Sequence, residues 1–293
     1  MYKIAILGAE NSHADAFITL VQSGKYPDIE IVGVYTDDEK AKAHLSESYG
    51  VYNALSYDEF VGKVDGVMVT ARHGDNHLKY VKPYLPSGIP VFIDKPATAS
   101  VEDALELVRL LKKHGNKFSG GSSCIHTPEV VSLANYAANS DNGKILGGFV
   151  RAPISLVNDY GNEWFYSQHL VEIMQRIFGY YPTSVRCYKR DGQLNAVYRY
   201  ADYDVFTTFV DGNYTYYAAV STEKGVEQSF VEVTSDIFKY EFDEYCSILR
   251  GGPSPKSLSE LIAPVYAIDA LLRSAETGEE IAIGPVPTSE DIA

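Results

Sequence analysis

The sequence predicts an α/β chain in two parts: a doubly wound parallel sheet over residues 1–121, then an α+β domain with an open, mostly antiparallel sheet over residues 122–293. Three observations carry this. Short apolar runs alternate with helical periods through residues 1–121, with short connections between them. Beyond that point strand-like runs dominate. Many of the 23 tyrosines fall between Tyr160 and Tyr245, where they suit a sheet with an amphipathic face.

Residues 3–7 read as a buried strand, followed by Gly8. Ala14, Phe17, Ile18 and Val21 recur at helical spacing, with Asn11 or Ser12 as N-cap and Gly24 as C-cap. Strands are expected at 30–35, 65–70, 90–93 and 117–120, separated by helices at 38–49, 76–83 and 101–113. After a helix at 128–138, strands are expected at 145–156, 184–189, 196–200, 205–210, 214–221 and 229–233. Asp211-Gly212-Asn213 suits a hairpin turn between two of them. One helix, 164–178, interrupts the strands, and two more, 239–249 and 258–274, close the chain. The last is a candidate to pack back on the first domain.

Composition excludes several function classes. The hydrophobic share of 45% supports a sizeable core, and the net charge of -14 repels phosphate backbones and anionic membranes. No apolar run approaches the roughly 18–20 residues that span a bilayer. Cys124, Cys187 and Cys246 are far apart and form no CxxC, so neither a metal site nor a disulfide framework is expected. The start is not a secretory signal, which makes the cytoplasm the expected location.

A strand, a glycine turn and a helix make a phosphate site of the Rossmann type, because backbone N–H groups and the helix dipole favour an anion. Here the turn is Gly8-Ala9-Glu10-Asn11-Ser12-His13, and only the first glycine of G-x-G-x-x-G survives. Glu10 stands where backbone approaches phosphate, and His13 where close helix–strand packing uses glycine. The second strand ends Tyr35-Thr36-Asp37-Asp38, so Thr36 holds the nominal ribose position with Asp37 next to it. Asp37, Asp38 and Glu39 repel a 2′-phosphate, which favours NAD and leaves NADP as the alternative. The plainer readings are an ordinary turn glycine and acids that start a helix.

Three features fall where strands of the first sheet end, the edge at which ligands bind in such sheets. They are Thr70-Ala71-Arg72-His73, Ile93-Asp94-Lys95-Pro96 and Gly120-Gly121-Ser122-Ser123. Lys followed by Pro suits a cation held rigidly at a cleft; the plainer reading is a solvated lysine. On the 164–178 helix, Leu170, Ile173, Met174 and Ile177 form an apolar stripe. His169 and Glu172 share a different face, which suits a cleft or, more plainly, a surface ion pair.

Together these pieces resemble the glucose-fructose oxidoreductase/inositol dehydrogenase (Gfo/Idh/MocA) family over almost the whole chain. Asp94-Lys95-Pro96 stands for the family's Glu-Lys-Pro, His169-x-x-Glu172 for its His-x-x-Asp, and His77 follows the third strand. The helix before Ala275-Glu276-Thr277-Gly278 looks like the family's returning C-terminal helix. The chain departs at Phe165, where the family has Asp, and at Ser167, where it has Gly.

The resemblance implies hydride transfer between nicotinamide and a secondary alcohol or ketone of a sugar, cyclitol or related polyol. Lys95 and His169 would meet in an interdomain cleft as catalytic residues. His169 is the better general acid/base, since imidazole titrates near neutrality. Lys95 would hold the substrate oxygen, and Glu172 would orient the imidazole or bind substrate. His77, Asn158, Asp159, Tyr160 and Trp164 would contact a sugar-like ring. Cofactor contacts are expected from Gly8, Ala9, Glu10, Asn11, His13, Thr36, Asp37, Thr70, Ala71, His73, Asp94 and Lys95.

Two other classes stay open. Glu10, His13, Thr36 and Phe165 motivate a non-catalytic ligand sensor, and an NAD-cycling lyase or glycosidase is the third reading. Tyr214-Thr215-Tyr216-Tyr217 would leave aromatics on an open sheet face, which favours a homodimer or homotetramer through that sheet. Helices of the same chain covering that face are the alternative.

Overall fold

Buried apolar runs alternating with capped helices build the first part of the chain. The computed structural model describes residues 1–292. The elements run β1 (Tyr2–Leu7), α1 (Ser12–Gln22), β2 (Ile29–Tyr35), α2 (Glu39–Tyr49), β3 (Gly66–Val69), α3 (Asp75–Val81), β4 (Val91–Asp94), α4 (Val101–His114) and β5 (Phe118–Gly121). The five strands pair in parallel in the order β2-β1-β3-β4-β5. Every residue of β3, β4 and β5 is buried, as a sheet covered on both faces requires. Side-chain oxygens of Asn11, Asp38 and Ser100 cap α1, α2 and α4, and Gly50 and Gly115 close α2 and α4 in the left-handed conformation.

The chain continues through α5 (Pro128–Ala138), β6 (Ile145–Ile154), α6 (Trp164–Phe178), β7 (Ser184–Arg190), β8 (Gln193–Arg199), β9 (Asp204–Asp211), β10 (Tyr216–Thr222) and β11 (Gly225–Val231). It ends with α7 (Ile237–Leu249), α8 (Leu258–Thr277) and β12 (Glu280–Ala282). The second sheet has the order β11-β10-β6-β9-β8-β7-β12 and is antiparallel except for the β6–β9 pair. Alternate residues of β8, β9 and β10 are buried against α5, α6 and α8. The other face carries exposed Tyr188, Phe206 and Phe230, with Phe149 and Tyr217 packed ring against ring at 6.1 Å.

The expected hairpin at Asp211-Gly212-Asn213 is corrected. β9 and β10 are not neighbours, because β6 lies between them. Turn chemistry reports a reversal of the chain, and cannot report a strand inserted from earlier in the sequence. The hairpins fall instead at Asp191-Gly192, joining β7 to β8, at residues 200–203, joining β8 to β9, and before Gly225, joining β10 to β11. The three-residue β12, too short for a periodic signal, pairs with β7.

Two compact units result. One comprises residues 1–121, 235–258 and 292, and the other residues 122–234 and 259–291. The chain passes from the first unit to the second after Gly121, and α7 belongs to the first unit while α8 belongs to the second. The reason is aromatic packing. Phe242 stacks on Phe17 at 5.5 Å and meets Tyr26 edge-on at 4.8 Å, while Tyr245 packs on Phe92 at 6.3 Å. Burying each such ring stabilises by about 1.5–3 kcal/mol. Arg250 also grips Asp28 through two bonds of 2.8 Å, but this solvent-exposed pair adds only about 0–1 kcal/mol. The apolar contacts therefore decide where α7 docks.

Candidate active site

The turn after β1 is shaped by its own neighbours. Gly8 has φ +74°, and a Cβ on it would lie 2.4 Å from the Cβ of Ala71, so no other residue fits. The N–H groups of Gly8 and Ala9 both donate to the Tyr35 carbonyl, at 2.8 and 3.0 Å. Asn11 Oδ1 accepts from the N–H groups of His13 (2.9 Å) and Ala14 (3.3 Å), and Asn11 Nδ2 donates to the carbonyls of Gly8 and Thr70. Thr70 Oγ1 also donates to the Gly8 carbonyl, at 3.0 Å. The donors left for an outside anion are the N–H groups of Glu10, Asn11 and Ser12, at the positive end of the α1 dipole.

Carboxylates gather at the end of β2. Glu10 Oε2 accepts from Thr36 Oγ1 at 3.0 Å, and Oε1 from the Arg72 N–H at 3.0 Å. Asp37 accepts from the hydroxyls of Tyr35 and Tyr80, the latter at 3.1 Å. Burial, reinforced by Asp37, pushes both phenols up, so they stay protonated as donors. This donor set fits a diphosphate, and the acceptor set fits ribose hydroxyls. His73 serves the start of α3, its Nδ1 accepting from the Asp75 N–H at 3.3 Å.

At the end of β4, Asp94 and His13 form a buried pair with Nδ1 and Oδ2 2.6 Å apart. Asp94 Oδ1 accepts from the Lys95 N–H at 2.7 Å, and the Lys95–Pro96 peptide is cis. Burial pushes the Asp94 carboxyl up, but His13, Lys95 and His77 outweigh it and hold it below the usual carboxylate range. His13 thus uses the third glycine position to reach β4, and packs edge-on against Phe238 at 4.7 Å. His77 is fully buried, with Nδ1 2.6 Å from the Pro96 carbonyl and Nε2 2.7 Å from that of Ala71. Burial lowers its pKa, opposed by Asp94 and the two carbonyls. His77 therefore ties the turn after β3 to the turn carrying Lys95, and presents no surface to solvent.

The second unit begins at Ser122, and α6 closes on that corner. Ser122 Oγ lies 2.7 Å from His169 Nδ1, and the Ser122 N–H donates to Glu172 Oε2. Gln168 Nε2 donates to the same Glu172 oxygen at 3.2 Å, and Cys124 Sγ lies 3.5 Å from His169 Nδ1. His169 is 6% exposed and Glu172 2%, so the solvated surface pair is excluded. Their i,i+3 spacing lets both side chains hold Ser122, one by its hydroxyl and one by its backbone. Ser122 Oγ engages the imidazole at Nδ1. Ser122 and Cys124 are the residues that sequence reasoning did not select. The Gly-Gly-Ser-Ser run at a strand end was the signal for Ser122.

The loop before α6 is held largely by Asn158. Its Nδ2 donates to Ser155 and to the Asn162 carbonyl (2.9 Å), and its Oδ1 accepts from the Tyr160 N–H at 2.7 Å. Asn162 has φ +53°, which asparagine tolerates. Tyr160 packs on Phe165 with centroids 5.1 Å apart, Asp159 is exposed, and Trp164 packs partly against the core of the second unit.

These observations define an α/β fold whose first unit has the Rossmann arrangement of strands and helices. Residues 2–122 match the oxidoreductase family with the NAD-binding Rossmann fold. The matching model is that of the Gfo/Idh/MocA oxidoreductases, and the match lies in the first part of the chain. No curated protein matches the chain significantly. Among solved structures, GenD2 from gentamicin A biosynthesis, in complex with NAD, superposes with a TM-score of 0.84 at 16% identity, covering 97% of this chain and 96% of that one. The scyllo-inositol dehydrogenase from Lactobacillus casei with bound NAD(H) and scyllo-inositol gives 0.82 at 14% identity over 96% and 99%. The myo-inositol 2-dehydrogenase from Lactobacillus plantarum gives 0.81 at 14% identity over 97% and 99%. At these identities the likeness is one of fold. Among the described residues, no helix is long and apolar enough to cross a membrane.

Proposed function

We propose that the protein is an NAD-dependent dehydrogenase acting on a secondary alcohol of a sugar-like polyol, such as a cyclitol. The observation that carries this reading is the buried His169 imidazole with Nδ1 engaged by Ser122 Oγ at 2.7 Å. Bound NAD supplies the hydride acceptor, and the protein supplies position and proton transfer. As the carbinol carbon gives up its hydride, the hydroxyl proton passes to His169 Nε2 and a ketone remains. For Nε2 to take that proton, Nδ1 carries a hydrogen in both protonation states and donates to the Ser122 hydroxyl oxygen, which holds the imidazole in the required tautomer. The scyllo-inositol dehydrogenase of the same fold, which has NAD(H) and scyllo-inositol bound, supports the substrate class.

The test is nicotinamide absorbance on mixing the protein with NAD and a panel of polyols. Absence of turnover with every polyol, alongside tight NAD binding, would favour the sensor reading. Ser122→Ala is expected to lower kcat about tenfold, with KM nearly unchanged and the pH–rate profile displaced. An unchanged profile would count against Ser122 as the residue that positions His169.

The open sheet face is the proposed homodimer or homotetramer interface. Phe206 and Phe230 are 55% and 67% exposed on it, a costly arrangement for a lone chain. Phe206→Glu combined with Phe230→Glu is expected to shift the mass in light scattering to the monomer. A monomeric parent protein at micromolar concentration would sink the idea. The three buried, free thiols suit a reducing compartment, and we place the protein in the cytoplasm, which cell fractionation checks.

A further inference from the structure

The two departures from the dinucleotide fingerprint meet in space. Glu10 stands at the second glycine, and Thr36 stands where β2 would carry an acid. They are 26 residues apart in sequence, yet Glu10 Oε2 accepts from Thr36 Oγ1 at 3.0 Å. The Arg72 N–H fixes the other carboxylate oxygen at 3.0 Å. The carboxylate missing from the end of β2 is thus delivered to the same place by the turn after β1.

The neighbouring acids are engaged elsewhere. Both oxygens of Asp37 accept from buried phenols, those of Tyr35 and Tyr80. Asp38 Oδ1 caps α2 through the N–H groups of Lys40 (2.8 Å) and Ala41 (3.0 Å). Glu10 has no left-handed φ, so the turn does not call for glycine there and tolerates a side chain.

We propose that Glu10 is the specificity-determining residue for the cofactor, reading the adenosine ribose hydroxyls from the glycine turn and setting a preference for NAD over NADP. The proposal rests on the dehydrogenase reading above. A carboxylate has about four lone-pair sites, so the two internal donors to Glu10 leave acceptor capacity for ribose hydroxyls. Ionised, it is an acceptor only, and meets a 2′-phosphate with repulsion. Asp37 and Asp38 add to that repulsion. In this arrangement the degraded motif is a relocated acid, with Thr36 as the group that aims it.

Titration of the full chain with NADH and with NADPH, followed by calorimetry, tests this without any turnover. The parent protein is expected to bind NADH the tighter by about a hundredfold, on the scale of charge-assisted hydrogen bonds. Glu10→Gln keeps the shape and removes the charge. It should weaken NADH binding about tenfold and narrow the preference by at least as much. Thr36→Val should move both in the same direction by a smaller factor. Glu10→Gly restores the fingerprint, and is expected to bind NADH more weakly than the parent. Tighter NADH binding by Glu10→Gly would mean that the carboxylate obstructs the cofactor, and overturns the proposal. An unchanged NADH/NADPH ratio in Glu10→Gln overturns it while leaving the dehydrogenase reading intact. Failure of the parent and all three variants to bind either nucleotide overturns both.

Discussion

Replacing His169 by asparagine is expected to lower kcat by about three orders of magnitude while NADH binding and folding are retained. Asparagine carries its amide close to where Nδ1 lies, so the bond to Ser122 Oγ has a counterpart and the buried corner of α6 stays satisfied. What it lacks is Nε2, the nitrogen proposed to exchange a proton with substrate. As the base proposed for alcohol oxidation, the imidazole must be neutral to act, so activity is expected to rise with pH. His169→Asn should lose that rising limb as well as the rate. Steady-state kinetics across pH, beside calorimetric NADH titration, checks both. A variant with a normal profile would exclude His169 as the acid/base. Pairing it with Lys95→Met in a double-mutant cycle reports whether the two residues serve one step, since groups acting as a unit lose little further when the second is removed.

Gly120→Ala is expected to destabilise the protein by about 4 kcal/mol or more, enough to deplete soluble protein. Two causes add. Gly120 has φ +123°, which L side chains rarely adopt, and a Cβ there would lie 1.9 Å from the Ile93 carbonyl oxygen. That oxygen belongs to paired β4 backbone and cannot turn aside as a side chain would. Gly115→Ala separates the causes. It has φ +69° but nothing within 4 Å of the new Cβ, so only the conformational cost of about 1 kcal/mol remains. Urea unfolding of the two variants, followed by circular dichroism, should show a large difference. Equal midpoints would remove the steric argument.

The first sheet was legible because its signals are local. Apolar runs the length of a strand, caps such as Asn11, Asp38 and Ser100, and left-handed glycines at helix ends each act within a few residues. His169 and Glu172 could be placed on one face from spacing alone. Their partner could not, because Ser122 reaches His169 across 47 residues of chain. The same limit hid the contact of Glu10 with Thr36 and the insertion of β6 between β9 and β10. For α7, amphipathic pattern shows that one face is buried, but not against which core. Its attachment depends on the shapes of Phe17, Tyr26 and Phe92, which lie far earlier in the chain, and closing so long a loop costs little more than closing a shorter one.

The attachment of α7 bears on the order in which the protein can be made. The first 121 residues leave the ribosome as a nearly complete sheet with its helices, yet the segment that covers Phe17 and Phe92 arrives only with residues 235–258. The whole of α5 to β11 is synthesised in between. During that interval the nascent nucleotide-binding unit carries an uncovered aromatic surface, the kind of exposure that holding chaperones recognise. A fragment cut at residue 121 keeps that surface permanently, so excising this unit for separate study requires α7 to be grafted back onto it.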